Sequence, residues 1–226
     1  MSDTSTLSLV EVGIEPNAPL TLDGAEDRMV FVAEGSLTTT DDTHIRRNER
    51  HTGIHAIGGS VLTAEAEGTR LWIWTISAGE APAIEGGREL MSRPLPLIEG
   101  FDGGQVVMRL DRVDFPPGAA AHTHVHPGPG LRVVLNGKIG IQQGEADIIW
   151  MEPGEPWFEL GPKPVFAPTT ETEPTAFIRC LVLPMEWRGR NTIRYIDPAD
   201  NEKPKLQKYY RFCDAVVELP GPLSQD

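Results

Sequence analysis

Apolar residues in this chain come in short runs, each closed off by Gly, Pro or Asp: Met29–Ala33, Leu71–Ile76, Val106–Val113, Leu131–Leu135, Ile148–Met151 and Ala176–Leu183. The runs are too short for a typical helix, are rich in Val, Ile and aromatic residues, and are flanked by turn formers. That pattern predicts strands throughout and an all-β class, a sandwich or a barrel. A stretch from Ala78 to Pro96, punctuated by Gly79, Pro82, Gly86, Gly87 and Pro94, predicts a linker. After Leu183-Pro184 the pattern changes. Trp187, Arg188, Arg190, Arg194 and Tyr195 precede a polar stretch and then Tyr209-Tyr210-Arg211-Phe212, with Pro198 and Pro204 excluding a long helix. The segment reads as an arm that returns to pack on the barrels or on a second subunit, or that covers a sheet edge.

Within this frame one segment carries unusual chemistry. His122, His124 and His126 alternate along a predicted strand and are followed by the turn Pro127-Gly128-Pro129-Gly130. Residues two apart on a strand share a face, so the spacing predicts three imidazoles on one side. Along a regular strand the outer two are about 13 Å apart at Cα, from four steps of about 3.3 Å, too far for all three to bind one ion unless the strand bends.

The segment Gly118 to Gly137 resembles the first motif of the cupin superfamily: glycine, five residues, His-x-His, three residues, glutamate, six residues, glycine. Gly118, His124, His126 and Gly137 take those places, while the glutamate place is Gly130. In the second cupin motif only the glycine, Gly154, is kept. The remaining places fall on Leu160, Pro162, Val165 and Thr169, and a register on Pro153 and Gly154 puts Trp157 near the histidine place. The stretch Met29 to Thr38 is similar to the strand, tight turn and strand that follow the glutamate in cupins, and parallels Val133 to Ile139. The resemblance covers roughly 17–80 and 104–184. It implies a double-stranded β-helix, the jelly-roll barrel, duplicated as a bicupin: a partial or degenerate barrel over 1–90, a barrel with the candidate site over 91–185, and a terminal arm over 186–226.

The resemblance also implies a divalent transition metal, Fe, Mn, Ni or Zn, with His124 and His126 as ligands. Glu159, on a strand expected beside the histidine strand, is a candidate third, completing a two-His, one-carboxylate site with open positions. Counted in twos from His126, the glutamate place points inward, and Arg132 with it. A buried guanidinium must be paired, either with Glu159 or with the carboxylate or phosphate of a ligand. Trp157 shares the face of Glu159 as an apolar wall or as core, and His122 is a candidate for moving a proton. The implied function is a metal-dependent enzyme on a small organic molecule, as dioxygenase, isomerase or lyase. The competing readings are a metal-free cupin that binds a small ligand as a sensor or accessory protein, and an assembly scaffold. A homodimer is expected from the resemblance.

Composition narrows the partners. A formal net charge of -13 repels phosphate backbones and anionic lipid, so neither nucleic acid nor a membrane surface is an expected partner. No apolar run approaches the roughly 20 residues that span a bilayer. Cys180 and Cys213 form no CxxC and no basic-then-apolar leader opens the chain, which predicts a reduced, cytoplasmic protein. Trp72, Trp74 and Trp150 read as core or inter-barrel packing, and His51 with His55 as incidental. No GxSxG and no phosphate-binding loop is present.

Overall fold

The computed structural model describes residues 4–41, 44–97, 100–101 and 104–224. The chain forms two compact units, one spanning 1–97 with 217–226 and the other 98–216. Both are antiparallel β structures, as the short apolar runs predict.

The first unit contains β1 (Ser5–Ile14), β2 (Pro19–Thr21), β3 (Arg28–Thr40), β4 (Ile45–Asn48), β5 (Gly53–Ala56), β6 (Val61–Ala78) and β7 (Arg88–Pro94). β3 and β6 are long enough to serve two layers. Their halves Arg28–Val32 and Leu71–Thr75 pair in the order β5, β3, β6, β1, β7, while Leu37–Thr40 and Val61–Ala64 pair in the order β4, β3, β6, β2. Between the layers lie Val12, Leu22, Val30, Val32, Leu37, Leu62, Leu71 and Ile73, an apolar core. At about 1.5–3 kcal/mol for each fully buried Val or Leu, this filling drives the fold of the unit.

The second unit contains β8 (Gln105–Phe115), β9 (Ala120–Val125), β10 (Gly130–Asn136), β11 (Ile139–Gln143), β12 (Ile149–Met151), β13 (Pro156–Glu159), β14 (Val165–Pro168), β15 (Thr175–Pro184) and β16 (Arg194–Tyr195), with β17 (Lys208–Glu218) beside β8. Its layers run β13, β10, β15, β8, β17 and β12, β11, β14, β9, β16. This repeats the strand order of the first unit, with β3 standing for β10 and β11 and β6 for β14 and β15. The repeat extends to the residue. A register shift falls between Val32 and Glu34 of β3 and between Val134 and Asn136 of β10. Gly35 and Gly137, one position further on, both have φ near +70°. A Cβ at Gly35 would lie 2.0 Å from the carbonyl oxygen of Gly68, and at Gly137 2.5 Å from that of Pro174, so each corner requires glycine.

At Gly35 the expected tight turn is replaced by a bulge in one continuous strand, because β3 keeps pairing with β6 on both sides of it. Trp72 and Trp74 are buried, as expected of core residues, whereas Trp150 on the short edge strand β12 is 40% exposed. Cys180 and Cys213 are not joined in a disulfide. Among the described residues no helix is long and apolar enough to cross a membrane.

Candidate functional site

β9 sets the site, through an irregularity. Val165 of β14 lies opposite His124 and Ala167 opposite Ala121, so three steps on β9 face two on β14. The extra residue breaks the period of two. Ala121 and His124 are buried, while His122 and Thr123 between them are half-exposed. The expectation that His122 shares the face of the other two is therefore corrected: it stands outside the cavity wall, close enough to Asp200 to act on it electrostatically.

His124 and His126 do converge. Their Nε2 atoms are 3.2 Å apart and their rings meet edge to face. Each Nδ1 is turned to a backbone carbonyl, that of His124 at 2.7 Å from His122 O and that of His126 at 3.3 Å from Thr192 O. A carbonyl only accepts, so in each neutral ring Nδ1 carries the hydrogen and Nε2 the lone pair. Burial favours this neutral form. It depresses the His124 pKa, helped by Arg179 and Arg132 against Glu159, and it drives that of His126 well down, again with Arg179 adding. Two lone pairs thus face each other across 3.2 Å with no hydrogen between them.

A row of side chains crosses the neighbouring layer beside this pair. Trp157 of β13, Arg132 of β10, Arg179 of β15 and Asp111 of β8 are successive register partners. Arg132 is buried. One of its terminal nitrogens donates to Gly130 O and the other lies 2.6 Å from Glu159 Oε2. That last contact is an ion pair without hydrogen-bond alignment. The burial lowers the Arg132 pKa to about 10, opposed by Glu159, so the group stays cationic at neutral pH. Glu159 accepts from Trp157 Nε1 at 2.9 Å through its other oxygen, and its Oε2 is 3.9 Å from His126 Nε2. Arg179 is held by Asp111 in a two-pronged contact of 2.6 and 3.0 Å, and the ring of Tyr209 stands over its guanidinium at 5.5 Å. Burial works against the Arg179 charge, but Asp111 outweighs it and raises the pKa. The third nitrogen of Arg179 approaches His126 Nε2 at 3.5 Å.

These groups enclose a cavity of ≈ 20 Å³ whose remaining wall is apolar, including Val113, Ala121, Ile141 and Phe177. That is room for about one water molecule. Two guanidiniums and the Glu159 carboxylate line it, and Asp111, bonded to Arg179 behind the wall, supplies the second negative charge, so the formal charge of the set is zero while both imidazoles are neutral.

His124, His126, Glu159, Arg132 and Trp157 are thus brought together, although the strand of Glu159 does not run beside the histidine strand as expected: β13 pairs with β10 in the facing layer, and Arg132 is paired with Glu159. Sequence reasoning missed Arg179, Asp111, Tyr209 and Thr192. A signal existed for Arg179, a lone charge inside the apolar run Ala176–Leu183, whereas Asp111 stands among Arg109, Arg112 and Asp114. The donor set was tested against a divalent ion. Two imidazole nitrogens 3.2 Å apart suit two bonds of about 2.0–2.1 Å to one ion, and lone pairs fixed by Nδ1 contacts to carbonyls are the arrangement metal-binding histidines use. Glu159 Oε2 would have to turn from Arg132 to join them, and among the described residues no three His, Cys, Asp or Glu side chains already stand at ligand spacing. The glutamate place of the cupin motif is closed. A Cβ at Gly130 would lie 2.5 Å from Cys180 O and 3.2 Å from Arg132, so β15 and the guanidinium fill that corner.

No protein-family model matches the chain, and no curated protein does. Solved structures do. The chain is similar to AerE from Microcystis aeruginosa, at 15% identity over 80% of this chain and 88% of that one, with a TM-score of 0.59. It is similar to a variant of Bacillus subtilis oxalate decarboxylase, at 13% identity over 86% and 71%, with a TM-score of 0.63. It is also similar to the formate complex of Lactobacillus farciminis oxalate decarboxylase, at 12% identity over 89% and 82%, with a TM-score of 0.60. Identities this low show the fold alone, and the fold each unit shares with these structures is an antiparallel jelly-roll β-barrel.

Proposed function

We propose that the second barrel is a metal-dependent site for a small organic acid, with His124 and His126 as the ligand pair and Glu159 as the carboxylate recruited when an ion binds. The observation that carries this reading is the pair of Nε2 lone pairs facing each other at 3.2 Å, each ring locked by its other nitrogen. A bound Fe, Mn, Ni or Zn ion would supply a Lewis acid that polarises a ligand oxygen. The chain's own residues would do the rest. Arg132, released from Glu159, presents a guanidinium to a ligand carboxylate, while Arg179 is kept in place by Asp111 and Tyr209. Trp157 holds Glu159 by its free oxygen.

Charge supports the choice of an acid. A divalent ion entering a neutral, buried cavity adds two charges, and an anionic ligand entering with it restores the balance. Two of the similar structures are oxalate decarboxylases, one with formate, which makes oxalate and formate the first compounds to try.

Metal analysis of protein purified without chelators, followed by Mn²⁺ and Co²⁺ titration, tests the reading. Near-stoichiometric binding, lost in His124→Ala/His126→Ala while the fold persists, is expected. Absence of binding in the parent overturns it. A second reading then stands on the same two guanidiniums: a metal-free binder in which a small carboxylate displaces Glu159 from Arg132. Oxalate or formate raising the thermal midpoint of metal-free parent, but not of Arg132→Met, supports that alternative.

A further inference from the structure

A cavity that holds one water cannot admit even a small organic acid, so the structure must open, and the parts that close it come from one segment. Thr192 O meets His126, Tyr195 packs edge-on against His124 at 6.4 Å between ring centres, and Tyr209 covers Arg179. All three lie between residues 191 and 209. The two ends of this segment are tied at one point. Arg109 of β8, fully buried, donates to Trp187 O and Arg190 O, both at 2.8 Å, and grips the Asp214 carboxylate at 2.8 and 3.0 Å. Gly189 N closes the knot on Asp214 at 2.7 Å.

Between the feet the segment is held mainly to itself. Asp197 accepts from Ala199 N, Lys203 pairs with Asp200, Lys205 sits over the Tyr195 ring, and Gln207 donates to the hydroxyls of Tyr195 and Tyr209. Its attachment to the barrel strands is small. β16 adds a two-residue pairing to β9, Ile196 N donates to Thr123 O, and of the segment's aliphatic side chains Ile193 is half-buried while Ile196 and Leu206 are 53% and 52% exposed. By contrast every residue of β15 is buried. Lifting the segment costs few bonds and little apolar burial, which is the profile of a low-stability opening unit.

We propose that residues 191–208 are the gate of the second barrel, and that Arg109 is the positioning residue that pins both ends so the gate reseats with Thr192 on His126. The inference rests on reading the cavity as a ligand site but does not require a metal. Within it Tyr195 backs the His124 ring, and Tyr209, which follows it on β17, is the side chain that lines the cavity.

Diethyl pyrocarbonate, which acylates neutral imidazoles, tests it without metal or substrate. In the parent, mass spectrometry is expected to find His122 modified readily and His124 and His126 slowly, through the open state. In Thr123→Cys/Ile196→Cys, oxidation staples the gate to β9 and should slow modification of His124 and His126 at least about tenfold, with reductant restoring it. Arg109→Met should raise the parent rate by a similar factor and Arg109→Lys by less, since one of several charge-assisted bonds survives. Equal modification in the oxidised and reduced double variant overturns the gate. Hydrogen exchange of the unmodified protein is the second measurement. Amides of 191–208 should exchange ahead of those of β15, and equal protection would also overturn the proposal. Failure of metal binding alone leaves these results intact, so the two readings fail separately.

Discussion

Equivalent rows in the two units have opposite chemistry on the same backbone. In the first, Ile54, Val30, Ile73 and Val10 are register partners across β5, β3, β6 and β1. In the second, the row in the same place is Trp157, Arg132, Arg179 and Asp111 across β13, β10, β15 and β8. The spacing along the chain from Val30 to Arg132 is that from Gly35 to Gly137, so the correspondence is not a matter of choice. One row further on, Val32, Leu71 and Val12 match Val134, Phe177 and Val113, and here both units are apolar. The fold therefore needs only part of the interior to be oily. The remaining row is free to carry charge, provided the charges arrive as a set; in the first unit that row is aliphatic, and its buried Arg28, two residues before Val30, is met by Glu26 and the Asp23 carbonyl.

The largest expected effect comes from forcing one member of the set into the wrong unit. Val30→Arg buries a lone guanidinium where the register partners are aliphatic, at a penalty of several kcal/mol. The first unit should then become the early target of limited proteolysis, and a stable, protected first unit would break the comparison. Next, Arg132→Met leaves Glu159 buried and unpaired and should destabilise the second unit by about 3–5 kcal/mol in urea unfolding. Arg132→Met/Glu159→Leu should recover most of that loss, whereas additive losses would mean that the charges are not a set.

The smallest effect is on acid stability. Although burial opposes it, the bonds from Arg109 and Gly189 hold the Asp214 carboxyl below the ordinary aspartate value of 3.8. A depressed folded pKa contributes stability that is present above the ordinary value and lost as pH falls through the lower one. Acid below that range should therefore loosen 191–208 before β15, seen as earlier loss of exchange protection, and Asp214→Asn should remove the pH dependence. In the first unit Glu11, also depressed against its burial by Trp72, Arg88 and Arg70, should give only a small change, because its arginine partners are solvent-exposed.

Much of this was legible in the residues. Short apolar runs between turn formers indicate strands because the pleat has a period of two and the turns need Gly and Pro, and the histidine pair followed from that period. His122 was misplaced for the same reason: a bulge adds a residue without any signature in side-chain pattern, and it appears only when β14 is laid beside β9. Arg179 and Asp111 lie far apart in sequence, and the lone charge of Arg179 in its apolar run says that a partner exists without saying which. For 191–208 the residues indicate an arm that packs on the barrels, on a second subunit or along a sheet edge, but a polar, proline-containing stretch does not say which, nor that His124 and His126 lie beneath it.

The extra residue in β9 has a consequence for how this strand tolerates change. Substitution alters what a position carries but not where it points. Removing Thr123 would take out the extra residue and leave Ala121, His122 and His124 in plain alternation, inward, outward, inward. For this strand, shortening by one keeps Ala121 and His124 on the interior face, so the ligand count stays at two.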